Sequence, residues 1–171
     1  MITLWVNQTT SCQCGSSLAD VCGEPLTRLL CHCEICQSVY QQAYADVLIF
    51  SGRDVSLPDD HAIEFRRHRL PPALTRGACP QCRMPVVAFM RTSPFHQLAF
   101  VPRANFRPET MLPGPAMHIF YHRRVADMDD AVPKVDGYFP SETSVLVAVT
   151  KALLQRRPEP VAHARSRRGK R

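Results

Sequence analysis

The chain of 171 residues is long enough for one domain with a modest core. Its formal net charge of +6 is carried by the end of the chain: Arg156 to Arg171 holds seven basic residues and one acid, which leaves residues 1–155 neutral with 14 charges of each sign. No apolar run approaches the ~18 residues of a membrane-spanning helix, and Met1 to Asn7 show neither a basic nor a long apolar signal region, so a cytoplasmic protein without a membrane role is expected.

Fifteen prolines against seven glycines disfavour long helices and favour short strands with irregular connections. A first strand is predicted at 2–6. Cys33 to Tyr40 reads as a short helical turn that would bring Cys33 and Cys36 to one side. Residues 44–50 end in an apolar run and meet a turn at Ser51-Gly52-Arg53-Asp54. Residues 61–66 alternate as a half-buried strand. Two strands are predicted at 85–90 and 96–101, joined as a hairpin through 91–95, and a short one at 117–121. Residues 127–133 read as a loop. The clearest helix is the last: Ser141 can cap a run from Glu142 to Arg156 in which Leu146, Val149 and Leu153 recur at helical spacing, and Pro158 stops it. The organisation expected is a mainly β domain over 1–140, a helix over 141–157 and a disordered basic tail over 158–171. A solvated end is the simpler reading of that tail, since Pro, Arg, Ala and Ser bury too little to order it. The sharper reading is weak contact with nucleic acid or another polyanion.

Seven of the eight cysteines fall into three clusters: Cys12 and Cys14; Cys31, Cys33 and Cys36; Cys79 and Cys82. Thiols two or three residues apart can reach one Zn²⁺ at ~2.3 Å, and tetrahedral zinc takes four. Seven ligands divide into one filled site and one three-thiolate site with an open position. A closed site points to structure and an open one to chemistry. A disulfide framework is the competing reading, but the spacing in a reducing compartment favours metal. His32 lies between two of these cysteines and reads as a surface imidazole or a donor to a thiolate before it reads as a ligand. Cys22 stands alone and reads as a small buried hydrophobe. Glu34 reads as a solvated charge, and Arg66, Arg67 and Arg69 as an exposed strand edge or as carboxylate contacts.

The order C-x-C-G (Cys12, Cys14, Gly15), C-H-C-x-x-C (Cys31, His32, Cys33, Cys36), R-G-x-C-x-x-C (Arg76, Gly77, Cys79, Cys82) and P-x-x-H-I (Pro115, His118, Ile119) resembles the glutathione-dependent formaldehyde-activating enzyme family, which includes the centromere protein V type. The resemblance spans residues 10–125. It implies an Mss4-like fold of antiparallel sheets stapled by zinc, with two zinc ions per chain. Cys12, Cys14, Cys79 and Cys82 would hold the structural ion, and Cys31, Cys33 and Cys36 the open, catalytic one. It further implies a carbon–sulfur lyase or synthase acting on glutathione adducts of formaldehyde or a related aldehyde, with zinc-borne chemistry and no side-chain nucleophile. The alternative is a non-catalytic zinc module whose tail contacts nucleic acid or a protein partner. A fourth protein ligand at the triplet, from Cys22 or His32, would favour it. Two departures stand out. Arg83 occupies a position where the family carries glycine, and Gln37-Ser38-Val39-Tyr40 lacks the family's glycine-containing stretch.

Overall fold

A computed structural model describes residues 4–59, 62–69, 74–93 and 96–156. Its architecture is mainly β and antiparallel-rich, with one long C-terminal helix. Strands β1 (Val6–Ser11), β2 (Leu18–Gly23) and β5 (Val55–Ser56) form a three-stranded sheet in the order β1-β2-β5. Strands β3 (Thr27–Cys31), β4 (Ala45–Ser51), β6 (Glu64–Arg67), β7 (Thr75–Ala78), β8 (Pro85–Ser93), β9 (His96–Pro102) and β10 (Met117–Ile119) form a second sheet in the order β10-β3-β4-β9-β8-β7-β6. Every pairing is antiparallel except β10 with β3. The helices are α1 (Glu34–Tyr40) and α2 (Tyr138–Gln155).

The large sheet is buried on both faces at its centre. Along β4, Leu48 and Phe50 join one core with Val21 and Val6 of the small sheet, while Val47 and Ile49 join another with Val149 of α2. β9 divides its side chains the same way, Ala99 and Val101 against Leu98 and Phe100. The period-2 alternation of strands therefore builds two cores from one sheet. The small sheet covers one face, and the two helices border the other.

Several elements depart from the sequence reading. The first strand runs over Val6–Ser11 and overlaps the expected 2–6 only at Val6, and residues 1–3 lie outside the described residues. Its sequence is polar because only Val6 and Thr10 are buried; the Thr10 hydroxyl donates to the Ala19 carbonyl at 2.9 Å. The strand read over 61–66 runs over Glu64–Arg67, all four exposed, as the charged edge strand of the sheet. His61 lies outside the described residues, as do residues 94–95 of the expected hairpin connection. The helix starts at Tyr138, with Gly137 as its N-cap at φ 85°. Ser141 is not the cap. Its buried hydroxyl accepts from the Phe120 amide at 2.8 Å and donates to the Gly137 carbonyl at 2.6 Å. The buried face runs through Ser141, Val145, Val149 and Ala152, whereas Leu146 and Leu153 of the expected stripe are exposed.

The helix ends at Gln155, and the capping Arg156 is not a tail charge. Its guanidinium forms an ion pair with Asp54, both side chains being almost fully buried. The tail read over 158–171 lies outside the described residues.

Candidate metal centres

The first cysteine cluster is the tip of the β1–β2 hairpin. β1 ends at Ser11 opposite Leu18, leaving residues 12–17 as the turn. The Gly15 amide bonds the Cys12 carbonyl at 2.9 Å and the Ser17 amide reaches Cys12 Sγ at 3.3 Å. Gly15 takes φ 78°, a left-handed conformation that glycine adopts without a Cβ penalty. The third cluster is the β7–β8 turn, folded in a similar way: the Arg83 amide bonds the Cys79 carbonyl at 2.9 Å and the Cys79 amide the Met84 carbonyl at 3.0 Å. Here Arg83 takes φ 64°. The knuckle therefore keeps its left-handed residue, and a non-glycine side chain bears the strain. Replacing Arg83 by Gly should raise stability by ~1 kcal/mol, read as a higher denaturant midpoint at unchanged slope. A lower midpoint would show that the Arg83 side chain contributes more than its backbone costs.

These two tips come from different sheets and meet. Cys12 Sγ lies 3.4 Å from Cys14 Sγ, and Cys14 Sγ lies 3.6 Å from Cys79 Sγ. All four sulfurs, with Cys82, fall within 4.8 Å of one another. Four thiolates at ~2.3 Å around a tetrahedral ion stand roughly 3.8 Å apart, so the spacing fits one metal. Ser16 Oγ donates to Gln81 Oε1 at 2.8 Å, a second tie between the tips. The Ser16 hydroxyl and amide hold the Cys14 thiol down to about 6, toward the thiolate a metal requires.

The central cluster is built where β3 passes into α1. Cys31 closes the strand, Cys33 is the helix N-cap, and Cys36 lies in the first turn with its amide on Cys33 Sγ at 3.4 Å. The three sulfurs form a second group within 4.8 Å. Hydrogen bonds from Cys31 and Cys36 hold Cys33 far below the usual thiol range, and the bond with Cys33 pushes Cys31 up. Among the described residues no fourth His, Cys, Asp or Glu atom joins the triplet. Cys22, partly exposed on β2, belongs to neither group.

His32 is not a surface imidazole. It is buried, with Nε2 at 2.8 Å from Nδ1 of the fully buried His118, whose Nε2 lies 3.0 Å from Asp130 Oδ2. Asp130 is in turn held down to about 2, first by the Lys134 ammonium and then by His118. A carboxylate only accepts, so a neutral His118 donates through Nε2 and accepts from His32 through Nδ1. His32 Nδ1 is buried with no hydrogen-bond partner among the described residues. This chain fixes the peptide between Cys31 and Cys33 against β10. Gln37 adds to it, donating to the His32 carbonyl at 2.6 Å and the Arg123 carbonyl at 2.7 Å.

A pocket of about 330 Å³ opens beside the triplet, with Cys31, Cys33 and Cys36 in its lining. Sheet residues Leu29, Val47 and Val87 contribute to it, as do Val39 and Tyr40 of α1 and Tyr138, Glu142 and Val145 of α2. The stretch without glycine therefore continues α1 as a pocket wall until Gln41 ends it at φ 52°. Of the three arginines singled out, Arg69 lines the pocket and donates to the Tyr138 hydroxyl at 2.6 Å; the exposed Arg66 and Arg67 pair with Glu64 and Thr75. Glu34 is exposed and pairs with Arg123 at 3.0 Å. Arg76 is the pocket residue to which the sequence reading gave no role. Its charge acts on Cys33 and Cys36, and among the described residues its guanidinium makes no hydrogen bond or ion pair. Only its place in R-G-x-C-x-x-C marked it. The glycine of that motif, Gly77, allows β7 to pass the Ile63 and Phe65 side chains, which a Cβ would meet at 2.6 and 2.8 Å.

No helix among the described residues is long and apolar enough to cross a membrane. A comparison with curated proteins finds no match. The family described as glutathione-dependent formaldehyde-activating enzyme matches residues 7–123, about two thirds of the chain and both cysteine groups. With four thiols joining two hairpin tips and three more opening on a pocket, the chain belongs to the glutathione-dependent formaldehyde-activating enzyme family.

Proposed function

We propose that the chain is a zinc-dependent enzyme of carbon–sulfur bond chemistry, acting on a glutathione adduct of an aldehyde in a reducing, cytoplasmic setting. Cys12, Cys14, Cys79 and Cys82 would hold a structural zinc, and Cys31, Cys33 and Cys36 a second. The observation that carries this reading is the difference between the groups. Four sulfurs close the first, whereas the second has three and faces a pocket. All-thiol donor sets suit zinc, and such sites need reduced cysteines. A fourth protein ligand at the triplet, from Cys22 or His32, would favour the non-catalytic alternative. His32 is turned to His118 and Cys22 is in neither group.

When bound at three thiolates, zinc supplies an open position at which an added thiol loses its proton. The chain's own residues do the rest. The Cys36 amide and the Arg76 charge stabilise negative sulfur at the site. The same cation lines the pocket, and an oxyanion formed there from the aldehyde would gain from it. In the forward direction sulfur bonds the carbonyl carbon, the C=O pair moves to oxygen, and oxygen takes the proton that sulfur gave up. The reverse step breaks the same bond.

The test is adduct formation from glutathione and formaldehyde, followed by NMR with zinc-loaded protein against the uncatalysed background. A saturable acceleration, lost in Cys33→Ser, is expected. Equal rates with wild type, Cys33→Ser and buffer would sink the enzymatic reading.

A further inference from the structure

We propose that the adduct handled at the triplet carries an apolar substituent on its aldehyde-derived carbon, so that the substrate class is the glutathione adduct of an alkyl or aryl aldehyde rather than of formaldehyde alone. This rests on the enzymatic reading above. The pocket has two kinds of lining. Its exposed members are mostly polar, namely Glu34, Arg69, His122 and Arg123 with the Tyr138 ring among them, and Glu142 and the Arg76 cation are half-buried. Its buried members are apolar: Leu29, Val47, Val87, Ala88 and Ile119, beside the sulfurs of Cys31 and Cys36.

Glutathione brings two carboxylates, an ammonium and two amides. Sinking those groups among aliphatic side chains would leave them without hydrogen-bond partners, a heavy cost. They belong with the charged residues at the rim. Formaldehyde adds one carbon and one oxygen, which cannot occupy the apolar part of a 330 Å³ space. A cavity with such walls holds water poorly and accepts apolar ligands. The group that fits it is a hydrocarbon substituent on the carbon that sulfur attacks. The bond made is the same S–C bond, the same proton passes from sulfur to oxygen, and no oxidant or reductant enters.

The experiment uses zinc-loaded full-length protein with glutathione and formaldehyde, propanal, hexanal or benzaldehyde. A parallel calorimetric series uses S-methyl-, S-propyl- and S-hexylglutathione, stable thioethers that mimic the adducts. The expected result is tighter binding and higher kcat/KM with chain length, by about fourfold per methylene until the chain is fully buried. Ala88→Leu, which shortens the compartment, should move the optimum to shorter chains. A flat or falling series in wild type, with formaldehyde turned over, overturns this proposal and leaves the enzymatic reading standing. An optimum unmoved by Ala88→Leu also overturns it, and if that variant does not fold the wild-type series decides. Turnover of no adduct removes the enzymatic reading and this proposal together.

Discussion

Replacing Cys79 or Cys82 by Ser is expected to unfold the domain or leave it folded only at low temperature. The four-thiol group joins the β1–β2 tip to the β7–β8 tip, and these belong to different sheets. A structural zinc contributes ~10–16 kcal/mol to folding, comparable to or larger than the ~5–15 kcal/mol net stability of an ordinary domain. One lost thiolate opens the site and removes most of that. Replacing Cys33 or Cys36 is expected to act differently. Those residues tie only a strand end to a neighbouring short helix, and the sheet around them is held by β4, β9 and β10. Circular-dichroism melting with zinc analysis separates the sets: the first should lose both fold and metal, the second should keep a cooperative transition and one zinc. Equal losses of melting temperature in both would show that the two groups do not divide into structural and catalytic.

Arg156→Ala should cost ~3–5 kcal/mol, because it removes the cation paired with the buried Asp54 carboxylate. The double variant Asp54→Asn, Arg156→Ala should recover part of that loss, since no buried charge then remains. The same pair fixes where the chain can be cut. A protein ending at Arg157 keeps Arg156 and should fold, bind zinc and keep any activity on thiol adducts, while losing whatever salt-sensitive affinity for polyanions the full chain has. A protein ending at Gln155 should melt lower by the Arg156 effect. Equal stability of the two truncations would show that the ion pair contributes nothing. In the sequence reading Arg156 closed the helix and was counted with the basic end of the chain; the structure pairs it with Asp54.

The elements that were legible are those whose apolar runs leave little choice. Residues of β4, β8 and β9 are strongly apolar because the central strands meet a core on each face. β1, β3 and β7 were not legible. β1 is mostly polar, β7 reads Thr-Arg-Gly-Ala, and β3 carries Arg28, whose charge is met by a bidentate contact with Asp46 of β4 at 2.7 and 2.6 Å. A partner 18 residues away converts an unlikely strand residue into a stable one. The cysteine spacing marked which thiols are neighbours, because each cluster is local. The pocket was hidden for the opposite reason. Its walls come from α1, β7, β10 and α2, and no local pattern announces that Arg76 and Tyr138 face the same space. His32 was misjudged as exposed because its partner, His118, is 86 residues away.

The central claim is that the triplet site accepts the substrate's thiol as its fourth ligand. Cobalt(II) substitution tests it directly, since each thiolate bound to cobalt adds sulfur-to-metal charge-transfer absorption. With both sites loaded, titrating glutathione should raise that absorption saturably by one thiolate's share, and the rise should vanish in Cys33→Ser while the closed site's spectrum persists. A spectrum unchanged at saturating glutathione would contradict the claim, because it would mean that the fourth position does not admit a thiol.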